Sequence, residues 1–60
     1  MIAITKLNDK EQFINSDLIE LIELTPDTTI TMTTGKKIIA KESVDDIIDK
    51  IVNYKRKINI

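Results

Sequence analysis

Several groups of residues in this chain could do chemistry, and each has a competing structural use. Glu20 and Glu23 stand three residues apart in IELIEL, and paired carboxylates can exchange protons or hold a divalent cation. Neither a third ligand nor a glycine-rich loop accompanies them, so solvated positions on a strand explain them better. Asp45, Asp46 and Asp49 could gather a cation too, but they fall near the start of an expected helix. Capping and the helix dipole account for acids there. Ser16 and Ser43 have no histidine to activate them as nucleophiles, since the chain contains none. Gly35-Lys36-Lys37 shares a fragment with phosphate-binding loops but lacks their spacing and the helix that must follow. Tyr54 is expected at the edge of a helix, with its ring in the core and its hydroxyl in water. No catalytic, cofactor-binding or metal-binding residue is therefore assigned, and neither a cofactor nor enzymatic activity is expected.

What remains is charged and apolar surface. Lys55-Arg56-Lys57, added to Lys36, Lys37 and Lys41, could form a patch for nucleic acid or anionic lipid. The balance of the chain speaks against nucleic acid. Nine basic residues meet ten acidic ones, giving a net charge of −1, whereas many nucleic-acid binders have a pI above about 9. Aromatic residues make up only 3%, too few for stacking on single strands. The candidate interaction surface is thus Ile39 with Lys36 and Lys37, and the C-terminal Lys55, Arg56 and Lys57.

Composition sets the outer limits. Sixty residues make a single domain, 1–60, at a size where folding buries only about 60% of the unfolded surface. Apolar content of 42% with so small a net charge argues against disorder. Thirteen of the residues are isoleucine, a β-branched type that suits pleated surfaces. The absence of cysteine argues against a small secreted domain, which would want a disulfide framework. MIAITKLN is too short and polar for a signal peptide, and no apolar run approaches a membrane span. A cytoplasmic location is expected.

The elements that position these residues follow from pattern. Met1–Leu7 alternates, with Ile2 and Ile4 on one face and Ala3, Thr5 and Leu7 on the other. Asn8-Asp9 signals a turn, because both types tolerate left-handed backbone, and Glu11–Asn15 is the return strand. Ser16–Leu24 is open to two readings. Asp17 and Glu20 have the spacing of a capping box, and Leu18, Ile19, Leu21 and Ile22 would line a helical stripe. Only about two helical turns fit before Thr25-Pro26, however, and proline disfavours α geometry in the residue before it. The strand reading also gives the next hairpin a partner, so it is preferred.

Thr25-Pro26-Asp27 is a turn with Pro26 suited to its second position. Thr28–Thr33, TTITMT, alternates strictly, with Ile30 and Met32 on one face. A three-residue loop with Gly35 left-handed would set Thr28, Ile30 and Met32 opposite Ala40, Ile38 and Lys36. That register makes Ile30 and Ile38 a direct apolar pair, which a two-residue loop would not. Ser43 is a good N-cap, with Asp46 placed as a capping-box acid. Val44, Ile47, Ile48, Ile51 and Val52 then recur at helical spacing, and Ile47, Ile48 and Ile51 are expected to form the inner stripe. The simplest architecture is α+β: a five-stranded antiparallel meander within residues 1–42, and one helix, about residues 44–58, packed across a face. Apolar residues on both faces of such a sheet, Ile30 and Ile38 on one and Ile39 on the other, argue for a homo-oligomer, since one helix covers one face.

The string from Leu7 to Ser43 resembles the FlbD/SwrD family of small bacterial flagellar proteins. The resemblance rests on Asn15, Asp17, Leu18, Ile19 and Glu20; on Pro26, Asp27 and Thr28; on Thr33 to Lys37; and on Lys41 to Ser43. No single motif is specific, but their order and spacing are. The family commonly has Asn-Gly after the first strand, where this chain has Asn8-Asp9, and Asp accepts the left-handed backbone at modest cost. The resemblance implies a cytoplasmic accessory protein of flagellar motility at the flagellar base, acting on motor output or assembly through protein contacts. Its implied partners are flagellar motor or assembly proteins, with any membrane association peripheral and through such a partner. The pattern from Ile19 to Val52 also faintly resembles the last part of LytTR-type DNA-binding domains, which would make the chain a regulator of motility genes. The chain is shorter than those domains and lacks their basic loops.

Overall fold

The computed structural model describes residues 1–58. In order, the chain forms β1 (Ile2–Thr5), β2 (Glu11–Ile14), a single 3-10 turn (Ser16–Leu18), β3 (Ile19–Leu24), β4 (Thr28–Met32), β5 (Lys37–Ala40) and α1 (Val44–Ile58). The α+β class, the five strands and the C-terminal helix are those expected. The strands lie in two antiparallel sheets, β1-β2 and β3-β4-β5, so the meander is interrupted between β2 and β3. The interruption falls where the helix and strand readings competed. Ser16–Leu18 is a 3-10 turn, its start capped by Asn15, whose side-chain oxygen accepts the Asp17 amide at 3.0 Å. Only from Ile19 is the segment a strand.

Two hairpins close on the same turn. In β1-β2 the Lys6 amide donates to the Lys10 carbonyl and the Asp9 amide to the Lys6 carbonyl, each at 2.9 Å. In β4-β5 the Met32 amide donates to the Lys36 carbonyl and the Gly35 amide to the Met32 carbonyl, each at 2.8 Å. Each loop has three residues, the last of them left-handed: Asp9 at φ 67° and Gly35 at φ 89°. The expected register follows, with Ile30 opposite Ile38 and Thr28 opposite Ala40. The remaining turn falls at Thr25-Pro26-Asp27 as expected, but its Thr25–Pro26 bond is cis, which is not the geometry of the second turn position expected for Pro26.

β3 pairs with β4 through a bulge at Glu20, since Ile19 opposes Met32 but Leu21 already opposes Thr31. The extra residue resets the alternation. Ile19 and Ile22, an odd number of positions apart, therefore both pack against the core. That core joins Ile2, Ile4 and Ile14 of the first hairpin to Ile30, Met32, Ile38 and Ala40 of the second, with Ile47 from the helix. Ile4, Ile30 and Ile47 are its fully buried centre, one from each layer.

Ser43 caps α1 as expected, its Oγ accepting the Asp46 amide at 3.1 Å. The helix packs on β1 and β3. Its inner stripe differs from the expected one. Ile47 is fully buried and Ile51 and Tyr54 pack against the core, but Ile48 is 47% exposed and Val52 42%. The contact line runs through Ile47, Ile51 and Tyr54, at i, i+4 and i+7, and Ile48 lies about 100° round the helix from Ile47. The sequence stripe was broad enough for either flank to face inward, and the sheet selected the one that includes Tyr54.

Ile47→Ala should therefore cost about 2–5 kcal/mol, as large-to-small changes in a closed core do, while Ile48→Ala should cost about 1 kcal/mol or less. Urea midpoints for both variants test this, and equal losses would contradict the docking. Gly35 tests the turn. No atom lies within 4 Å of where its Cβ would stand, so substitution there strains the backbone without a clash. Gly35→Val should lose about 1–2 kcal/mol and Gly35→Asn clearly less in the same melts, because asparagine accepts positive φ.

Candidate interaction surface

The two sheets are held together at one end. Lys6 and Ala40 form an isolated antiparallel bridge, and the Lys41 amide donates to the Thr5 carbonyl at 2.8 Å. The Thr5 amide, in turn, donates to both carboxylate oxygens of Glu42, at 2.9 and 3.0 Å. The Lys41 ammonium pairs with Asp9 in the first turn.

Between the turn of the first hairpin and the start of β5 lies a groove of about 420 Å³ lined by Lys6, Leu7, Asn8, Gln12 and Lys36 to Ile39. The lining contains three lysines and no carboxylate. Among the described residues the ion pairs are Lys41 with Asp9 and Lys55 with Asp17, so Lys6, Lys36 and Lys37 are unpaired. Leu7 and Ile39 add exposed apolar surface, 52% and 42% accessible. A groove of this kind can hold an extended segment that brings carboxylates to the lysines and apolar side chains to the rim.

The structure brings Ile39, Lys36 and Lys37 together here, and it sets Lys55, Arg56 and Lys57 apart on the last turns of α1. Lys55 reaches the Asp17 carboxylate at 3.3 Å, while Lys57 lines a smaller hollow of about 220 Å³ with Lys50, Tyr54 and the start of β1. Lys41, engaged by Asp9, does not join a common basic patch. Sequence reasoning missed Lys6, Leu7, Asn8 and Gln12, which reach the groove only because the first hairpin folds back beside β5. Glu42 was missed as well, and nothing local marks a partner 37 positions away. Among the described residues no group of three or more His, Cys, Asp or Glu side chains is placed to hold a metal ion. No helix among them is long and apolar enough to cross a membrane.

Fold and groove together define a small α+β domain with an open basic cleft at the seam between two hairpins. The family model described as flagellar and swarming motility proteins, FlbD, matches residues 1–59, and the chain belongs to that family. No curated protein and no solved structure matches it.

Glu42 gives the clasp a pH signature. Partial burial pushes its carboxyl up, but the Thr5 amide bonds, helped by the nearby Lys50 charge, outweigh this and leave the pKa below the ordinary 4.5. A carboxyl that binds its proton less readily when folded stabilises the fold fully above the ordinary value. That contribution is lost as pH falls through the lower, folded value. Glu42→Gln should therefore unfold at lower urea than the wild type near pH 7, with the gap closing as pH falls through the folded value below 4.5. A gap that stays constant over that range would show that the charge plays no part in the clasp.

Proposed function

We propose that this protein is a non-enzymatic accessory of bacterial flagellar motility that binds a motor or assembly protein through the groove between the first hairpin's turn and β5. The observation that carries the reading is the gathering of Lys6, Lys36 and Lys37, unpaired, around exposed Leu7 and Ile39 in a chain whose net charge is −1. Cations concentrated in one cleft of an acidic protein steer a negatively charged partner and fix its register. Membership of the motility family supplies the context for that partner. Catalysis is not part of the reading. Glu42, the carboxyl with the lowered pKa, commits both oxygens to the Thr5 amide, and Ser16 and Ser43 have no activating base. The protein works in the cytoplasm at the base of the flagellum, where the partner, and not a segment of this chain, meets the membrane.

A strain lacking the protein, complemented with Lys36→Glu/Lys37→Glu, should fail to recover swarming. Both positions are exposed, so the urea midpoint of the variant should match the wild type to within about 0.5 kcal/mol. Crosslinking from motile cells should recover a flagellar protein with the wild type and not with the variant. Full swarming by the folded variant would remove the groove from the function. Binding of the wild type to random duplex DNA with a steep salt slope, by fluorescence anisotropy, would favour a nucleic-acid regulator instead.

A further inference from the structure

The three-stranded sheet has two unlike edges. At one lies β3, whose outer side has no partner strand among the described residues. Leu18, Leu21 and Leu24, in and beside it, are 47%, 41% and 66% exposed, and Glu20 and Glu23 stand between them. It is a long, apolar, acidic edge of the kind that proteins usually cover or blunt. At the opposite edge lies β5 with the basic groove. The Met32 amide bonds the Lys36 carbonyl, so in this antiparallel ladder the bonded pairs are Met32–Lys36, Ile30–Ile38 and Thr28–Ala40. Lys37 and Ile39 fall at the alternate positions and turn their backbone groups away from β4, into the groove.

We infer that the occupant of this groove is β3 of a second copy of the chain, which extends the sheet head to tail. The inference goes beyond the motility reading and does not rest on it: in an open chain of copies the groove of the end copy stays free for the motility partner. Each edge supplies what the other lacks: carboxylates and leucines on β3, unpaired lysines, Leu7 and Ile39 beside β5. β3 and β5 both run antiparallel to β4 and so parallel to each other. A copy added without turning over therefore lays its β3 parallel to β5. Leu21 and Glu23, opposite Thr31 and Thr29, then share a face with Lys37 and Ile39, opposite the same two threonines. Symmetric pairings are worse. β3 against β3 sets Glu20 and Glu23 against their own kind, and β5 against β5 does the same with Lys36 and Lys37. A heterologous contact repeats, giving open chains of copies. The β5 edge is closed at Ala40 by Lys6, just past the end of β1, which keeps each contact short and the association weak.

Sedimentation equilibrium of the full chain tests this. The weight-average mass should climb above 6.9 kDa with concentration without levelling at a dimer, and should fall when salt is added. Glu20→Lys/Glu23→Lys and Lys36→Glu/Lys37→Glu should each be monomeric alone. Mixing the two should restore association, as should combining all four changes in one chain, since each reversed edge again meets its opposite. All four positions are exposed, and circular dichroism checks that each variant folds. A wild type that stays at 6.9 kDa at high micromolar concentration, a mass that levels at a dimer, or a mixture that stays monomeric would each overturn the inference. A monomeric wild type that binds a glutamate-rich peptide in the groove would overturn it in favour of a foreign acidic segment. Glu20→Lys/Glu23→Lys leaves the groove lining unchanged, so its crosslinking to a flagellar protein in motile cells scores the motility reading apart from self-association.

Discussion

Thr5 offers one amide hydrogen to both oxygens of Glu42, and the rest of the fold depends on what that contact joins. It spans 37 positions, the separation between the first hairpin and the step into the helix. Around it stand the Lys6–Ala40 bridge, the Lys41 amide on the Thr5 carbonyl, and the Lys41–Asp9 ion pair. An isolated two-stranded hairpin is marginal in water. Here the β1-β2 hairpin gains a neighbouring sheet at one end of β1 and a shared core along its inner face. A charge-assisted hydrogen bond of this sort is stronger than a neutral one, and its loss would leave a partly buried amide without a partner.

The same clasp makes the surface. Two sheets paired along the whole of β1 and β5 would form one continuous five-stranded sheet, with no cleft between them. Because they meet at one bridge, the core closes over Ile4, Ile30 and Ile47 while the space between the first hairpin's turn and the start of β5 stays open. A chain of sixty residues has little core to spare. This one places an isoleucine from each layer at the fully buried centre and leaves Leu7, Leu21 and Ile39 outside. Stability is thereby concentrated near the clasp and the helix contact, and the polar, half-covered seam is left free to bind.

Much of this was legible in the chain. Thr28 to Ala40 could be registered from parity alone, because Gly35 supplies a left-handed residue at the third loop position and only that loop pairs Ile30 with Ile38. The helix limits were legible from Ser43 and from the segregation of acids and bases. Two features were not, for definite reasons. LIELIEL shows a spacing of three that belongs to a helix in most contexts, and here comes from a bulge at Glu20 that resets a strand's alternation. No residue type announces a bulge of that kind. The helix offered a stripe wide enough to dock on either flank, so the choice of Tyr54 over Ile48 was made by the sheet beneath it. Within the candidate surface, Lys36, Lys37 and Ile39 could be named because they are contiguous, whereas Lys6 and Gln12 join them only through long-range folding.

Charge ties these observations to function. Nine basic and ten acidic residues nearly cancel along the chain, and a composition of that kind says nothing about binding. Folding separates them. Lys41 and Lys55 are taken up by Asp9 and Asp17, the helix start carries Asp45 and Asp46, and Glu20 and Glu23 lie along β3. What is left over in the groove is Lys6, Lys36 and Lys37, with no ion-pair partner among the described residues. A nearly neutral protein has thus become one with a basic cleft on one edge of a sheet and an acidic strand on the other. Such polarity is created by topology and not by composition. It gives a protein with no catalytic constellation among its described residues two chemically distinct surfaces, and the proposed contacts with other proteins rest on them.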